Sequence, residues 1–332
     1  MTTQTHSTEK KVRLFDSPVV QERVKHHAEN AFRDFFSLTH ATKQFNLAFF
    51  ALAATELVAI LLLSALSKSL FIAICLAGLC LTVFSYFLLS FYMEAKKPEQ
   101  MEEISSRYLS SCKEAAGEGA DDDSIFLAYA LRYFSDLLEM KKWIAQSPAP
   151  LPFLQPLFEK CLVWMHWKEI HQMRELLLSN AIEHHLDLIR KEPLDLEAHA
   201  ALSHTYLTMA NLQRADQSWP WTPSAYSSKP MKEKFESYTA RAVQEFKILD
   251  ALAPNEPWVH AQLASIYHDL EMAQKEIEEY EILLKLSPQD HKLIFRLGVL
   301  YFKQGETARA LLLYEQLKKA NDPRADDLIA HY

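Results

Sequence analysis

Adjacent histidines and a run of aspartates are the residues whose types suit metal binding. Fourteen histidines include the pairs His26-His27 and His184-His185, but neighbouring residues on a helix point in different directions and cannot share one ion. Asp121-Asp122-Asp123 lacks the alternating ligands and the distal bidentate glutamate of a calcium loop. Carboxylates in this position are typical of a helix start, where they face the positive end of the dipole. The sequence predicts no metal site and no cofactor.

Motifs of the known catalytic types are also missing from the sequence. It holds no H-E-x-x-H, no glycine-rich phosphate loop and no G-x-S-x-G. Its four cysteines show no C-x-x-C spacing, and Cys75 and Cys80 lie in an apolar stretch. Residues 98–332 carry 25 Lys and Arg against 36 Asp and Glu, so they offer no basic excess for a nucleic acid. We predict that the chain is not an enzyme and does not bind nucleic acid.

An apolar block covers residues 44–94 and divides into two segments. The first, Phe45–Leu66, has 22 residues with twelve Leu, Ile, Val or Phe, and the second, Leu70–Met93, has thirteen. As a helix the first would be about 33 Å long, enough for a hydrocarbon core of about 30 Å. Only three residues, centred on Lys68, separate the segments. The sequence therefore predicts an antiparallel transmembrane hairpin, with a buried soluble helix pair as the alternative.

Glu56 is the one acidic residue between Phe45 and Met93 and lies in the middle of the first segment. An ionisable group inside a membrane is costly and often functional. Folding the hairpin at Lys68 places Glu56 opposite Cys80, with Thr82 as a neighbour. We interpret Glu56 as a protonated side chain that hydrogen-bonds within the hairpin or to a second copy, which allows a homo-oligomer through the hairpin.

The flanking charges predict the orientation of the hairpin. Lys25, Arg33 and Lys43 precede it, and Lys96-Lys97 follows it, whereas the turn carries Lys68 alone. Because positive residues favour the cytoplasmic side, both termini are expected there.

The segments around the hairpin are predicted to be helical or unstructured. Residues 1–15 are polar and are expected to be a disordered tail. Residues 16–43 repeat apolar side chains at steps of three and four, which predicts an amphipathic helix on the membrane surface or against the soluble part. Lys96-Lys97-Pro98 is expected to end the helix of the second span, and residues 95–123 to form a linker with a helix. Five glycines and no alternating strand pattern predict an all-α fold.

A 34-residue period marks the C-terminal third. Leu263, Tyr267 and Tyr280 recur as Leu297, Tyr301 and Tyr314. With the small residues Gly298 and Ala310, which let helices approach closely, this pattern resembles the tetratricopeptide repeat (TPR) family. The resemblance implies an α-solenoid of antiparallel helix pairs, with repeats at 257–290 and 291–324 and a short C-terminal helix at 325–332. In the first of these Glu276 replaces a small residue, which predicts looser packing there.

An earlier repeat at 196–256 fits the family only with an interruption. Leu202 and Tyr206 match a first helix and Ala242 and Phe246 a second, but their separation is 27 residues too long. An insertion at 211–235 is therefore expected, and residues 124–195 are expected to be degenerate helical pairs. The insertion carries Trp219, Trp221 and Tyr226, which we hypothesise contact the groove, the partner or the membrane surface. Packing against a neighbouring repeat is the alternative.

The resemblance also implies a binding surface. In TPR proteins the first helices of successive repeats line a groove that binds a peptide or a partner helix. In this sequence the corresponding residues are His204, Trp258, Ser265, His268, Asp269, Lys292, Phe295, Arg296, Val299, Phe302 and Lys303. Lys292 and Arg296 also match two of the five positions with which some TPRs clamp a terminal carboxylate, but Ala200, His204 and Gln262 replace the other three.

Three functions fit these features. The first is a membrane-anchored TPR adaptor or scaffold that holds a protein partner on the cytoplasmic face. The second is a secreted effector, because the hairpin is similar in hydropathy to the bilobed segment of chlamydial inclusion-membrane proteins. The third is an assembly factor or subunit of a membrane complex, in which the hairpin makes the essential contacts.

Overall fold

A computed structural model of the chain describes residues 18–64, 69–116, 124–139, 155–214 and 229–331. These residues are all-α, as predicted, and form two compact units, one up to His184 and one from His185. The predicted tail at 1–15, the turn at Lys68, the acidic run at 121–123 and the side chains of Trp219, Trp221 and Tyr226 lie outside the described residues.

The hairpin consists of two helices that are much longer than the predicted spans. Helix α1 covers Pro18–Ser64 and helix α2 covers Ser69–Ala116. The predicted amphipathic helix and first span are therefore one continuous helix. The prediction that Lys96-Lys97-Pro98 ends the helix of the second span is wrong, since Pro98 lies inside α2, which continues to Ala116.

Both helices carry an apolar band that faces outward. Each is long and apolar enough to cross a membrane, and the most apolar window of each is unburied within the protein. Leu47 and Phe50 on α1 and Phe84 and Phe91 on α2 are at least 65% exposed. A buried soluble helix pair, the alternative for this block, would enclose these side chains.

Beyond the bands, α1 and α2 continue into a four-helix core. Helix α3, Ser124–Leu137, and helix α4, Gln155–Lys191, complete it. Its buried side chains include Val24, Ala28, Ala31 and Phe35 from α1, Met101, Ile104, Tyr108 and Cys112 from α2, Phe126, Leu131 and Phe134 from α3, and Ile170, Met173, Leu177 and Ala181 from α4. The two expected locations for the amphipathic residues of 16–43 are the membrane surface and the rest of the protein. In the structure these residues pack against the other helices of the four-helix core.

This packing corrects the prediction for residues 124–195. The sequence suggested degenerate helical pairs of the repeat array, but α3 and residues Ile170 to Ala181 of α4 pack on the hairpin helices. The Tyr108 hydroxyl of α2 donates to the Ala130 carbonyl of α3 at 2.9 Å, and the rings of Tyr108 and Phe134 lie 5.1 Å apart.

A buried lysine joins α2 to α4 just beyond the apolar band. The Lys97 Nζ lies 2.8 Å from a carboxylate oxygen of Glu94 and 3.1 Å from one of Glu169. Lys168 reaches the other oxygen of Glu94 at 2.7 Å. The network satisfies a charge that would be costly to bury alone.

The second unit contains seven helices among the described residues. After the end of α4 they are α5 Leu196–Gln213, α6 Lys229–Leu252, α7 Pro257–Asp269, α8 Ala273–Leu286, α9 His291–Lys303, α10 Thr307–Lys319 and α11 Arg324–Ile329. They pack as the pairs α5–α6, α7–α8 and α9–α10, and α11 packs on the last pair.

The interruption in the first pair is shorter than predicted. The expected insertion spans 211–235, but α5 continues to Gln213 and α6 begins at Lys229. Both ends of the predicted insertion are therefore helical, because the apolar pattern of each helix extends beyond the family motif.

The small residue Gly298 serves a different contact from the one expected. A Cβ atom at Gly298 would lie 2.7 Å from a methyl group of Leu328 on α11. Leu328 is fully buried. The absence of a side chain at Gly298 therefore allows the terminal helix α11 to pack closely against α9.

Candidate functional site

The surface of interest is the outer face of α5, α7 and α9, the first helices of the three pairs. Asp195 and Asp290 cap α5 and α9, and each side chain accepts hydrogen bonds from two backbone N–H groups. The opposite face of each helix supplies core residues such as Leu202, Leu263 and Leu297.

All eleven predicted groove residues lie on the accessible side of these helices. Seven are exposed and four are half-buried. The exposed residues are Trp258, Ser265, His268, Asp269, Lys292, Arg296 and Lys303, and the half-buried residues are His204, Phe295, Val299 and Phe302. The predicted helical register thus keeps all of them out of the core, as a binding surface requires.

An aromatic cluster connects α5 to α7 on this surface. The His204 ring stacks on the Trp258 ring, with centroids 5.9 Å apart and planes 9° apart. Phe246 of α6 meets both rings edge-on from below. Because Trp258 is held from two sides yet remains 37% exposed, it offers a rigid apolar contact that loses little conformational entropy on binding.

Two polar groove residues are engaged by neighbours. Asp269 at the end of α7 pairs with Arg214 at 2.8 Å. His268 lies 3.2 Å from Glu276, whose side chain is only 8% exposed. The unexpected glutamate at the start of α8 thus has a partner, His268, near the end of α7.

Helix α9 presents the basic part of the surface. One guanidinium nitrogen of Arg296 donates to the Tyr280 hydroxyl of α8 at 2.9 Å, which fixes the side chain. Lys292 and Lys303 lie on the same side of the helix and are exposed. On α5, Ala200 and His204 stand where a carboxylate clamp needs Lys and Asn, so the structure brings no further fixed positive charge to that end.

The structure reveals buried histidines that sequence reasoning missed. The Nδ1 atom of His199 lies 2.7 Å from a Glu245 oxygen, and that of His260 lies 2.8 Å from a Glu279 oxygen. In each, Nε2 faces the carbonyl of the proline six residues earlier. The shared Pro-x5-His spacing is the signal that could have identified them. The His–Glu contact joins the first helix of each pair to the second.

Two side chains at contacts between neighbouring helices, Tyr301 and Asp322, have shifted pKa values. Burial, and then the hydrogen bond to Glu281, raise the pKa of the Tyr301 hydroxyl. The Arg324 guanidinium holds the pKa of Asp322 well below its usual range. Both groups are therefore fixed in one charge state near neutral pH and serve packing between elements.

Within the apolar bands, Glu56 has the neighbour that hairpin folding predicts. The Thr82 hydroxyl donates to one Glu56 carboxyl oxygen at 2.8 Å. The other oxygen is buried and has no hydrogen-bond partner among the described residues. The interhelical hydrogen bond links α1 to α2 inside the apolar region.

The repeat period is present in the structure as well as in the sequence. Leu263, Tyr267 and Leu283 are buried, and so are Leu297, Tyr301 and Leu317 one period later. The turns also repeat, because Glu271 and Gly305, 34 residues apart, both have positive φ. The following N–H groups bond to the Tyr267 and Tyr301 carbonyls, both at 2.8 Å. This is a TPR-like helix-pair array.

Comparison with known proteins gives structures of TPR proteins. A crystal structure of TTC0263, a thermophilic TPR protein of Thermus thermophilus, is 16% identical, with 73% of this chain and 94% of that chain covered and a TM-score of 0.33. A monomeric mutant of IFIT1 with Gppp-AAAA is 13% identical, with 72% of this chain and 61% of that chain covered and a TM-score of 0.34. No family model matches the sequence, and no curated protein shows significant similarity to it.

Among the described residues, no group of three His, Cys, Asp or Glu side chains is placed to hold a metal ion. The accessible features of the array are instead the Trp258 cluster and the face of α9. Both present aromatic and basic side chains, which are common in contacts between polypeptides.

Proposed function

We propose that the chain is a membrane-anchored scaffold that holds a protein partner on the cytoplasmic face through its TPR-like array. The observation that carries the proposal is the outward-facing apolar band on two helices that continue without a break into a soluble core. Such a molecule ties a binding surface to a bilayer.

The band supports membrane insertion by its size and concentration. Seventeen of the 27 exposed large hydrophobic side chains in the described part of the chain lie between Leu47 and Tyr92. Soluble monomers rarely expose so large a continuous apolar surface. The lysines and arginine at the outer ends of the hairpin favour cytoplasmic termini.

The scaffold function is supported by the array. Paired helices with a partly exposed face of aromatic and basic side chains suit a polypeptide segment.

Membrane insertion is tested by alkaline carbonate extraction. The full chain should remain in the membrane pellet, and protease on the cytoplasmic side should digest the array. Leu57→Arg/Phe84→Arg should release a large fraction, because each arginine at mid-span costs about 2.5–3.5 kcal/mol. The control Leu194→Arg/Leu312→Arg changes two leucines outside the band that are at least as exposed, and it should stay in the pellet. Release of the unaltered chain would disprove the anchor, and full protection of the array would reverse the topology.

The scaffold role is tested by site-specific photocrosslinking in cells. A photoreactive residue at Phe302, on the groove face of α9, should give a discrete adduct with another protein. The same residue at Leu312, on α10 and 68% exposed, should not. Equal adducts at both positions, or none at Phe302, would contradict the proposal.

A further inference from the structure

The face of α9 differs in charge from the rest of the array. Helix α9 contains Lys292, Arg296 and Lys303 and no acidic residue. The whole chain carries 43 acidic against 35 basic residues. A helix with only basic charges is therefore unusual in this protein.

These three bases have no carboxylate within ion-pair distance among the described residues. Some other bases of the same unit are paired, as in Arg214–Asp269, Arg309–Glu281 and Arg324–Asp322. Ion pairs within the array therefore neutralise those three arginines but not the three bases on α9. The remaining positive charge is available to a ligand.

Apolar side chains alternate with the bases on the same face. Phe295, Val299 and Phe302 follow each other at steps of four and three, which keeps them on one side of the helix. All three are half-buried, so each presents part of its apolar surface. The bond from Arg296 to Tyr280 holds the guanidinium in a fixed orientation on this helix.

We propose that this face, Lys292 to Lys303, binds a peptide segment in which acidic and apolar residues alternate. The inference rests on the proposed function, because the face is part of the groove. Acidic side chains would pair with the three bases, and apolar side chains would cover Phe295, Val299 and Phe302. A nucleic acid would also be drawn to bases and aromatic rings, but the net charge of −8 repels a long polyanion.

The test measures fluorescence anisotropy with the full chain in detergent micelles. The probes are the labelled peptide Ac-EELFDEILEE-NH2, its neutral counterpart Ac-QQLFNQILQQ-NH2 and an eight-nucleotide oligouridylate. The acidic peptide should bind at least about tenfold more tightly than the other two, since several exposed ion pairs each add a small increment. Its affinity should fall as salt is added.

Lys292→Glu/Lys303→Glu should weaken binding of the acidic peptide at least about tenfold. The matched control Lys285→Glu/Lys319→Glu makes the same charge change at exposed lysines on α8 and α10 and should bind within about threefold of the unaltered chain. Thermal melting checks that both variants fold.

No binding of the acidic peptide, equal loss in both variants, or tighter binding of the oligouridylate would overturn the inference. A partner-specific adduct at Phe302 in cells would still support the scaffold role in any of those cases. The two proposals therefore fail separately.

Discussion

Phe134→Ala should lower the free energy of unfolding of the four-helix core by about 3–5 kcal/mol. Phe134 is fully buried, and its ring lies 5.1 Å from the ring of Tyr108 on α2. Its removal takes apolar contacts from the core and leaves a cavity that the packed helices cannot fill. Because this core contains parts of both hairpin helices, the loss should reach α1 and α2 as well as α3.

Denaturant unfolding, followed by a probe in α3, measures this effect. Tyr129→Ala is the matched control, since Tyr129 is an aromatic residue of the same helix but is 43% exposed. It should change the free energy of unfolding by less than about 1 kcal/mol. Equal effects of the two substitutions would show that the core is not packed around Phe134.

Lys97→Ala should destabilise the same core by about 3 kcal/mol. Lys97 is 8% exposed and lies between Glu94 and Glu169. Removing the ammonium group leaves Glu169, with a side chain only 14% exposed, without its counter-charge. Glu94 keeps Lys168 as a partner, so the cost arises mainly at Glu169.

The double variant Lys97→Met/Glu169→Met separates the charge effect from packing. Because neither charge remains, it should recover most of the stability that Lys97→Ala loses. Lys96→Ala, at the exposed neighbouring residue, should be close to neutral. Unfolding of all variants is compared at one pH and salt concentration. If the double variant were as unstable as Lys97→Ala, the stabilising role of the ion pair would be refuted.

The repeat array could be predicted because the sequence pattern that specifies it is local and periodic. Each pair buries the same positions, so Leu263 and Leu297 identify two equivalent core sites without knowledge of the rest. The eleven groove residues follow from that register. The Glu56–Thr82 hydrogen bond was predictable for a similar reason, because a short turn fixes which residues of a hairpin face each other.

The features that could not be predicted depend on distant contacts. Pro98 normally disrupts a helix interior, but packing of Met101, Ile104 and Tyr108 into the four-helix core holds α2 together beyond it. That α3 and α4 would pack on the hairpin helices is not visible in any local period. The His199–Glu245 contact joins residues 46 positions apart, across an interruption whose length no motif specifies.

The insertion of the apolar band into a membrane is tested most directly by measuring which of its residues are exposed to lipid. Nitroxide labels at Leu57, Phe84 and Glu102, in a cysteine-free chain reconstituted into liposomes, are compared by oxygen and nickel-chelate accessibility. Leu57 and Phe84 should collide mainly with oxygen, which partitions into lipid, whereas Glu102, an exposed residue of the same helix α2 as Phe84, should collide mainly with the aqueous chelate. Equal chelate accessibility at all three positions would contradict a membrane-inserted hairpin that continues into a soluble core.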